Sequence, residues 1–152
     1  YERFANSLNL LDMDGVELIP QTMAPFPWHF GGQRHQNLFV HADECREWCE
    51  KLNLRMCFDI SHSKLTSNHF GIDFYDFVKK IAPITGHLHL GDALGVNGEG
   101  LQIGEGEIDF KKLASILDDY CPKASFIPEI WQGHKNGGEG FWIALEKLES
   151  II

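Results

Sequence analysis

The feature that most constrains this chain is a rhythm. Short apolar runs alternate with helix-patterned stretches four times along the sequence. The runs cover residues 16–20, 54–59, 86–90 and 124–129, and the helical stretches that follow the first three end in helices over 42–52, 73–81 and 109–120. A last helix is expected over 139–150, and residues 2–11 read as the end of a helix that precedes the first run. Local signals agree with these bounds. Asp43 and Glu44 sit in the first turn of 42–52, where the helix dipole favours acids. Pro83 closes 73–81, Asp109 is placed to cap 109–120, and Gly137-Gly138 precede the last helix. Between them lie a loop rich in Pro, Gly and aromatics over 21–37 and a Gly-rich loop over 91–107.

Each strand–helix unit is roughly 30–40 residues long, the length at which a crossover joins two parallel strands and leaves the helix outside. The fold class expected is therefore α/β with a parallel sheet. Four such units are half of an eightfold (β/α) barrel. A half-barrel leaves its first and last strands unpaired and half its core open. The expectation is one domain over residues 1–152, forming the last four units of a barrel whose other half lies in the same polypeptide before Tyr1. A flavodoxin-like open sheet is the structural alternative, and it would need helices on both faces.

Composition excludes several function classes. A chain of 152 residues with 43% hydrophobic residues can bury a real core. No apolar run approaches the ~20 residues of a membrane span, and Tyr1-Glu2-Arg3-Phe4 does not read as a secretory signal. Net charge is −9 with scattered Lys and Arg, which disfavours nucleic acid as a partner. Cys45 and Cys49 stand four apart on the 42–52 helix, in line with His41, and read as a packed face of reduced thiols rather than a metal row. With no disulfide framework, a reducing, cytoplasmic compartment is expected.

The chemistry gathers at the strand ends. The first run ends at Gln21, the second at Asp59 with His62 just beyond, the third at His89 with Asp92 following, and the fourth at Glu129. In a parallel barrel all carboxyl ends face one mouth, where active sites lie. Asp, His and Glu converging there form a ligand set for Mn²⁺, Mg²⁺, Co²⁺ or Zn²⁺. Taken alone, Asp59 could equally cap a helix and His89 could be a satisfied core histidine. The aromatic loop carrying Trp28, Phe30 and Arg34 suits stacking on a sugar face and holding a phosphate or carboxylate. It would equally serve to pack over the barrel. Trp131 and His134 carry the same pair of readings, and Lys64 reads as a solvated loop lysine.

These residues also carry a family resemblance. Cys57-Phe58-Asp59-Ile60-Ser61-His62 resembles the D-x-x-H strand end of the xylose isomerase-like TIM barrels, which include sugar-phosphate isomerases/epimerases and endonuclease IV-type enzymes. His89-Leu90-Gly91-Asp92 resembles their H-x-x-D, Ile103-Gly104-Glu105-Gly106-Glu107-Ile108-Asp109-Phe110 their G-x-G loop, and Ile127-Pro128-Glu129 their glutamate-tipped last strand. The resemblance implies one divalent metal on Gln21, Asp59, His89 and Glu129. It implies catalytic roles for Glu129 and His62, with His62 as the substrate-binding or second-metal histidine, while Trp28, Arg34, Asp92, Glu99, Trp131 and His134 are read as candidate substrate contacts. A sugar or sugar phosphate is the implied substrate, and a homo-oligomer is compatible with it.

Two departures stand out. Gln21 occupies a position that is normally Glu; it can coordinate through its carbonyl oxygen but cannot serve as a base. Glu17 lies two alternations lower on the same strand face and could substitute only if the strand ended earlier. Gly98-Glu99-Gly100 replaces the Asp-x-His with which the endonuclease branch holds extra zinc, arguing against phosphodiester hydrolysis. The remaining readings are an isomerase or epimerase working through an enediolate, and a catalytically impaired sugar-binding or regulatory module of a larger enzyme.

Overall fold

The computed structural model describes residues 1–26 and 35–151. Helices α1 (Glu2–Leu8) and α2 (Ala42–Leu52) precede strand β1 (Met56–Asp59), which runs directly into α3 (Ile60–Phe70). Helix α4 (Phe74–Ile81) leads through a short 3-10 turn into β2 (Thr85–Leu90). A small hairpin of β3 (Asp92–Leu94) and β4 (Gly98–Leu101) follows, then α5 (Phe110–Tyr120), β5 (Ser125–Pro128) and α6 (Lys135–Glu149).

The main sheet is parallel, in the order β1-β2-β5, with Asp59 beside His89 and His89 beside Ile127 in register. A fourth lane is only a bridge. Gln21 pairs in parallel with Cys57, through Cys57 N–H to the Pro20 carbonyl (2.8 Å) and Thr22 N–H to the Cys57 carbonyl (3.0 Å). The strand expected over 16–20 does not form. Val16 is exposed, and Glu17 makes a two-pronged ion pair with Arg55 at the surface. That pairing removes Glu17 from the site. The chain joins the sheet only at residues 20–22.

The two faces of this sheet differ. Met56, Phe58, Leu88 and Leu90 point outward and are buried under the helices, with Ile81, Val78 and Leu113 completing the layer. The other face carries Cys57 and Asp59 on β1, His87 and His89 on β2, and Ser125 and Ile127 on β5, the residues that alternation places together. Ser125 and Ile127 there are exposed. An all-parallel sheet normally has both faces covered; this inner face is covered only in part.

Helix α3 lies inside a segment with no amphipathic pattern. Its buried face is mostly polar: Ser61, Ser63, Thr66 and Ser67 are buried beside Ile60 and Leu65. Their hydroxyls are satisfied locally, Ser67 to the Ser63 carbonyl (2.9 Å), Thr66 to the His62 carbonyl (3.0 Å) and Ser63 to Thr22 Oγ1 (3.1 Å). Lys64, expected in a solvated loop, sits on this helix with Glu107 3.4 Å away.

Cys45 and Cys49 pack into the core, as expected of a packed face of thiols. Helix α6 is interrupted at Asn136-Gly137-Gly138, all at positive φ, so its regular part begins where the glycine pair ends. Asp109 caps α5 by accepting from Lys112 N–H (3.1 Å). Replacing Asp109 with alanine is expected to lower stability by about 1 kcal/mol, read as a shift of the urea midpoint at constant slope.

Candidate metal centre

Parallel register brings the strand ends to one edge. Asp59 closes β1 and His89 lies one residue from the end of β2. Glu129 follows β5, its N–H donating to the Leu90 carbonyl (2.9 Å). Asp59, His89 and Glu129 form the one three-residue group found among the described residues with ligand atoms all within 4.8 Å of one another. Gln21 joins them from the bridging lane, its Nε2 donating to Asp59 Oδ2 (2.7 Å).

Asp59 has two local duties. Its Oδ1 accepts from His62 N–H (2.9 Å), capping α3, while Oδ2 faces Gln21, His62 Nδ1 (3.2 Å) and His89 Nδ1 (3.8 Å). Capping and cluster membership are thus compatible, because they use different oxygens. Behind it, Thr22 exchanges hydrogen bonds with the Asp59 backbone, accepting from its N–H (2.9 Å) and donating to its carbonyl (3.2 Å). Burial raises the Asp59 carboxyl to about 6, against the lowering effect of His62.

His89 is the member that points to a missing partner. Its Nδ1 is buried and lies 2.6 Å from Glu129 Oε2, yet without the alignment of a hydrogen bond, so the nitrogen has no hydrogen-bond partner. Such orphaned buried atoms are rare and call for an explanation. The Cys57 side chain first, and the Glu129 carboxylate next, raise His89 to about 10. The contact with His89 lowers Glu129 in turn. An imidazole nitrogen and two carboxylates crowded this closely fit a divalent cation of the Mn²⁺, Co²⁺ or Zn²⁺ type, with Mg²⁺ less favoured by the nitrogen donor.

The cluster opens on a cleft of about 670 Å³ whose lining includes Gln21, Asp59, His62, Glu99, Glu129, Trp131 and His134. His62 lies between the cluster and the hairpin. Its Nδ1 is 3.1 Å from the Thr22 carbonyl, which can only accept, so that nitrogen carries the proton. Its Nε2 faces Glu99 Oε2 at 3.6 Å.

Asp92 is not in this cleft. It is fully buried, and both its oxygens are spent on backbone N–H groups of the loop from Ala93 to Ile108. The hairpin turns the residue inward, away from any substrate. Trp28 and Arg34 lie outside the described residues. Met23, Ser61, Gln132 and Lys135 also line the cleft and carried no sequence signal, being single polar or apolar residues without a spacing pattern.

A family model for the xylose isomerase-like TIM barrel matches residues 1–150. The chain belongs to this family. Solved structures agree on the fold. A D-tagatose 3-epimerase-like protein has a TM-score of 0.65 at 22% identity, covering 90% of this chain and 48% of its own. The probable 3-DHS dehydratase AsbF of Bacillus anthracis, involved in petrobactin synthesis, has a TM-score of 0.66 at 14% identity, covering 97% and 54%. An L-ribulose 3-epimerase has a TM-score of 0.65 at 16% identity, covering 97% and 52%. This family member therefore spans about half the length of the structures it resembles. No curated protein matches the chain. No helix among the described residues is long and apolar enough to cross a membrane.

Proposed function

We propose that this chain carries the metal-binding part of a cytoplasmic sugar or sugar-phosphate isomerase or epimerase. Asp59, His89 and Glu129 would hold one divalent ion, with the Gln21 amide beside them, bonded to Asp59. The observation that carries this reading is the buried His89 nitrogen without a hydrogen-bond partner, facing two carboxylates at the mouth of a cleft. The epimerases among the structures of similar fold lend it support.

A bound ion of this kind supplies Lewis acidity toward a carbonyl and its neighbouring hydroxyl. The protein's own groups do the rest. Glu129 is a carboxylate at the cleft wall, able to take a proton from the carbon beside the substrate carbonyl. His62, fixed through Nδ1, presents Nε2 to a substrate hydroxyl, and Trp131 and His134 offer a stacking surface and a further polar contact. The barrel itself is proposed to be completed by an N-terminal half of the same polypeptide, which would cover the inner sheet face. The chain would then be a single domain's last four β/α units.

The second reading is a sugar-binding or regulatory module without catalysis. Gln21 favours it, since its amide donates to Asp59 where the family usually has a base. Metal content of the natural polypeptide that carries this sequence separates the two. About one divalent ion per chain is expected, lost in Glu129→Gln and His89→Ala. Because His89 holds its proton up to about 10 without the ion, binding at neutral pH should release about one proton and tighten as pH rises. Calorimetry in two buffers of different ionisation enthalpy reads this. Absence of binding with Mn²⁺, Co²⁺ and Zn²⁺ would sink the catalytic reading and leave the module.

A further inference from the structure

Inverting a carbon next to a carbonyl takes two proton-transfer groups, one for each face, and Gln21 cannot be one of them. The polar contacts of the cleft form a run: Glu129 to His89 (2.6 Å), His89 to Asp59 (3.8 Å), Asp59 to His62 (3.2 Å) and His62 to Glu99 (3.6 Å). A carboxylate stands at each end, and both line the cleft. Glu129 comes from the end of β5 and Glu99 from the β3–β4 hairpin, so different elements hold them.

The hairpin is fixed where Glu99 needs it. Gly100 N–H donates to Ser61 Oγ (2.8 Å) and the Gly100 carbonyl accepts from Trp131 N–H (2.7 Å). The residue next to Glu99 is thus tied to the first turn of α3 on one side and to the loop after β5 on the other. His62 Nε2 gives the Glu99 carboxyl a polar neighbour on the cleft side.

We infer that Glu99 is the second proton-transfer group of this site, taking the place that Gln21 has vacated. The inference rests on the isomerase/epimerase reading above. In the forward direction the Glu129 carboxylate takes the proton from the carbon beside the carbonyl: the C–H bond breaks and an O–H bond forms. The electron pair moves into the carbon–carbon bond and leaves the carbonyl oxygen negatively charged. Protonated Glu99 then returns a proton to the same carbon from the other face, its O–H bond breaking as the carbonyl reforms. Solvent moves the proton from Glu129 back to Glu99 between turnovers.

The test uses the natural polypeptide, loaded with Mn²⁺, in D₂O, with free and phosphorylated ketopentoses and ketohexoses as probes. For the ketose that the wild type converts fastest, Glu99→Gln should lower epimer formation by at least about 100-fold. Metal content and melting temperature should stay unchanged, and one epimer of the pair should still exchange its proton for deuterium. Glu99→Asp should recover part of the rate. Exchange without inversion is a signature that a merely structural role would not produce. Inversion by Glu99→Gln within about threefold of wild type, or a rise in KM at constant kcat, would overturn the inference. Failure of the wild type itself on every ketose would overturn the functional reading, a separate result that needs no variant.

Discussion

Replacing Asp92 with alanine is expected to cost about 4 kcal/mol of folding stability, the upper range for one substitution. The carboxylate is fully buried. Its Oδ1 accepts from the N–H groups of Ala93 (2.8 Å) and Ile108 (3.1 Å), and its Oδ2 from Gly104 (3.0 Å) and Gly106 (2.8 Å). Hydrogen bonds to a charged group contribute about 1.5–3 kcal/mol each. They share one acceptor group and so fall short of adding. Asparagine should be nearly as damaging, because its NH₂ would face donors. Gly106 shows how tightly the loop is wound: a Cβ there would run into the Ala93 carbonyl and the Asp92 carboxylate. Urea unfolding checks the prediction. A midpoint shift worth less than about 1 kcal/mol would mean that the loop is held by its other contacts.

The second large effect separates the two duties of Asp59. Asp59→Asn is expected to weaken divalent-metal binding by at least about 100-fold, since a charged ligand oxygen is lost. The α3 cap should survive, but the amide NH₂ then replaces the oxygen that accepts from Gln21 Nε2, so the metal-free protein loses that hydrogen bond. Asparagine caps a helix about as well as aspartate, and the raised carboxyl shows that burial disfavours the charge. The sign follows: a carboxyl raised from 3.8 to about 6 destabilises the fold when ionised, fully above about pH 6, and this cost fades as pH falls toward 3.8. A neutral amide removes it. Thermal unfolding with and without Mn²⁺ should therefore show no metal-induced rise in Tm for the variant, the lost hydrogen bond from Gln21 offsetting the removed cost of the charge in the metal-free form. A rise equal to that of the wild type would remove Asp59 from the ligand set.

Much of the fold was legible because burial leaves a period. The runs at 54–59 and 86–90 are strands whose outward residues pack under helices, and their polar ends meet at one edge, as the alternation requires. The run at 16–20 misled because apolar composition was its only signal. Val16 is exposed and Glu17 reaches Arg55, so no partner strand pairs there. Helix α3 was hidden for the opposite reason. Its inward face is mostly hydroxyls that bond to nearby carbonyls and to Thr22, and Ile60 and Leu65 alone are too few to make a hydrophobic period. The β3–β4 hairpin escaped because its strands are only three and four residues long and include Ala93, Gly98 and Gly100. That hairpin decides which of two acids reaches the cleft: it buries Asp92 and presents Glu99. Spacing alone does not tell such neighbours apart.

The ties at Gly100 run through peptide groups at both ends of one residue, which sits at positive φ. The lip of the cleft is therefore drawn in backbone. Exposed hairpin positions such as Leu94 and Val96 are free to vary among descendants of this sequence without displacing the rim, whereas Gly100 is not. Natural variation across the hairpin should then retune which molecules enter, leaving the groups beneath in place.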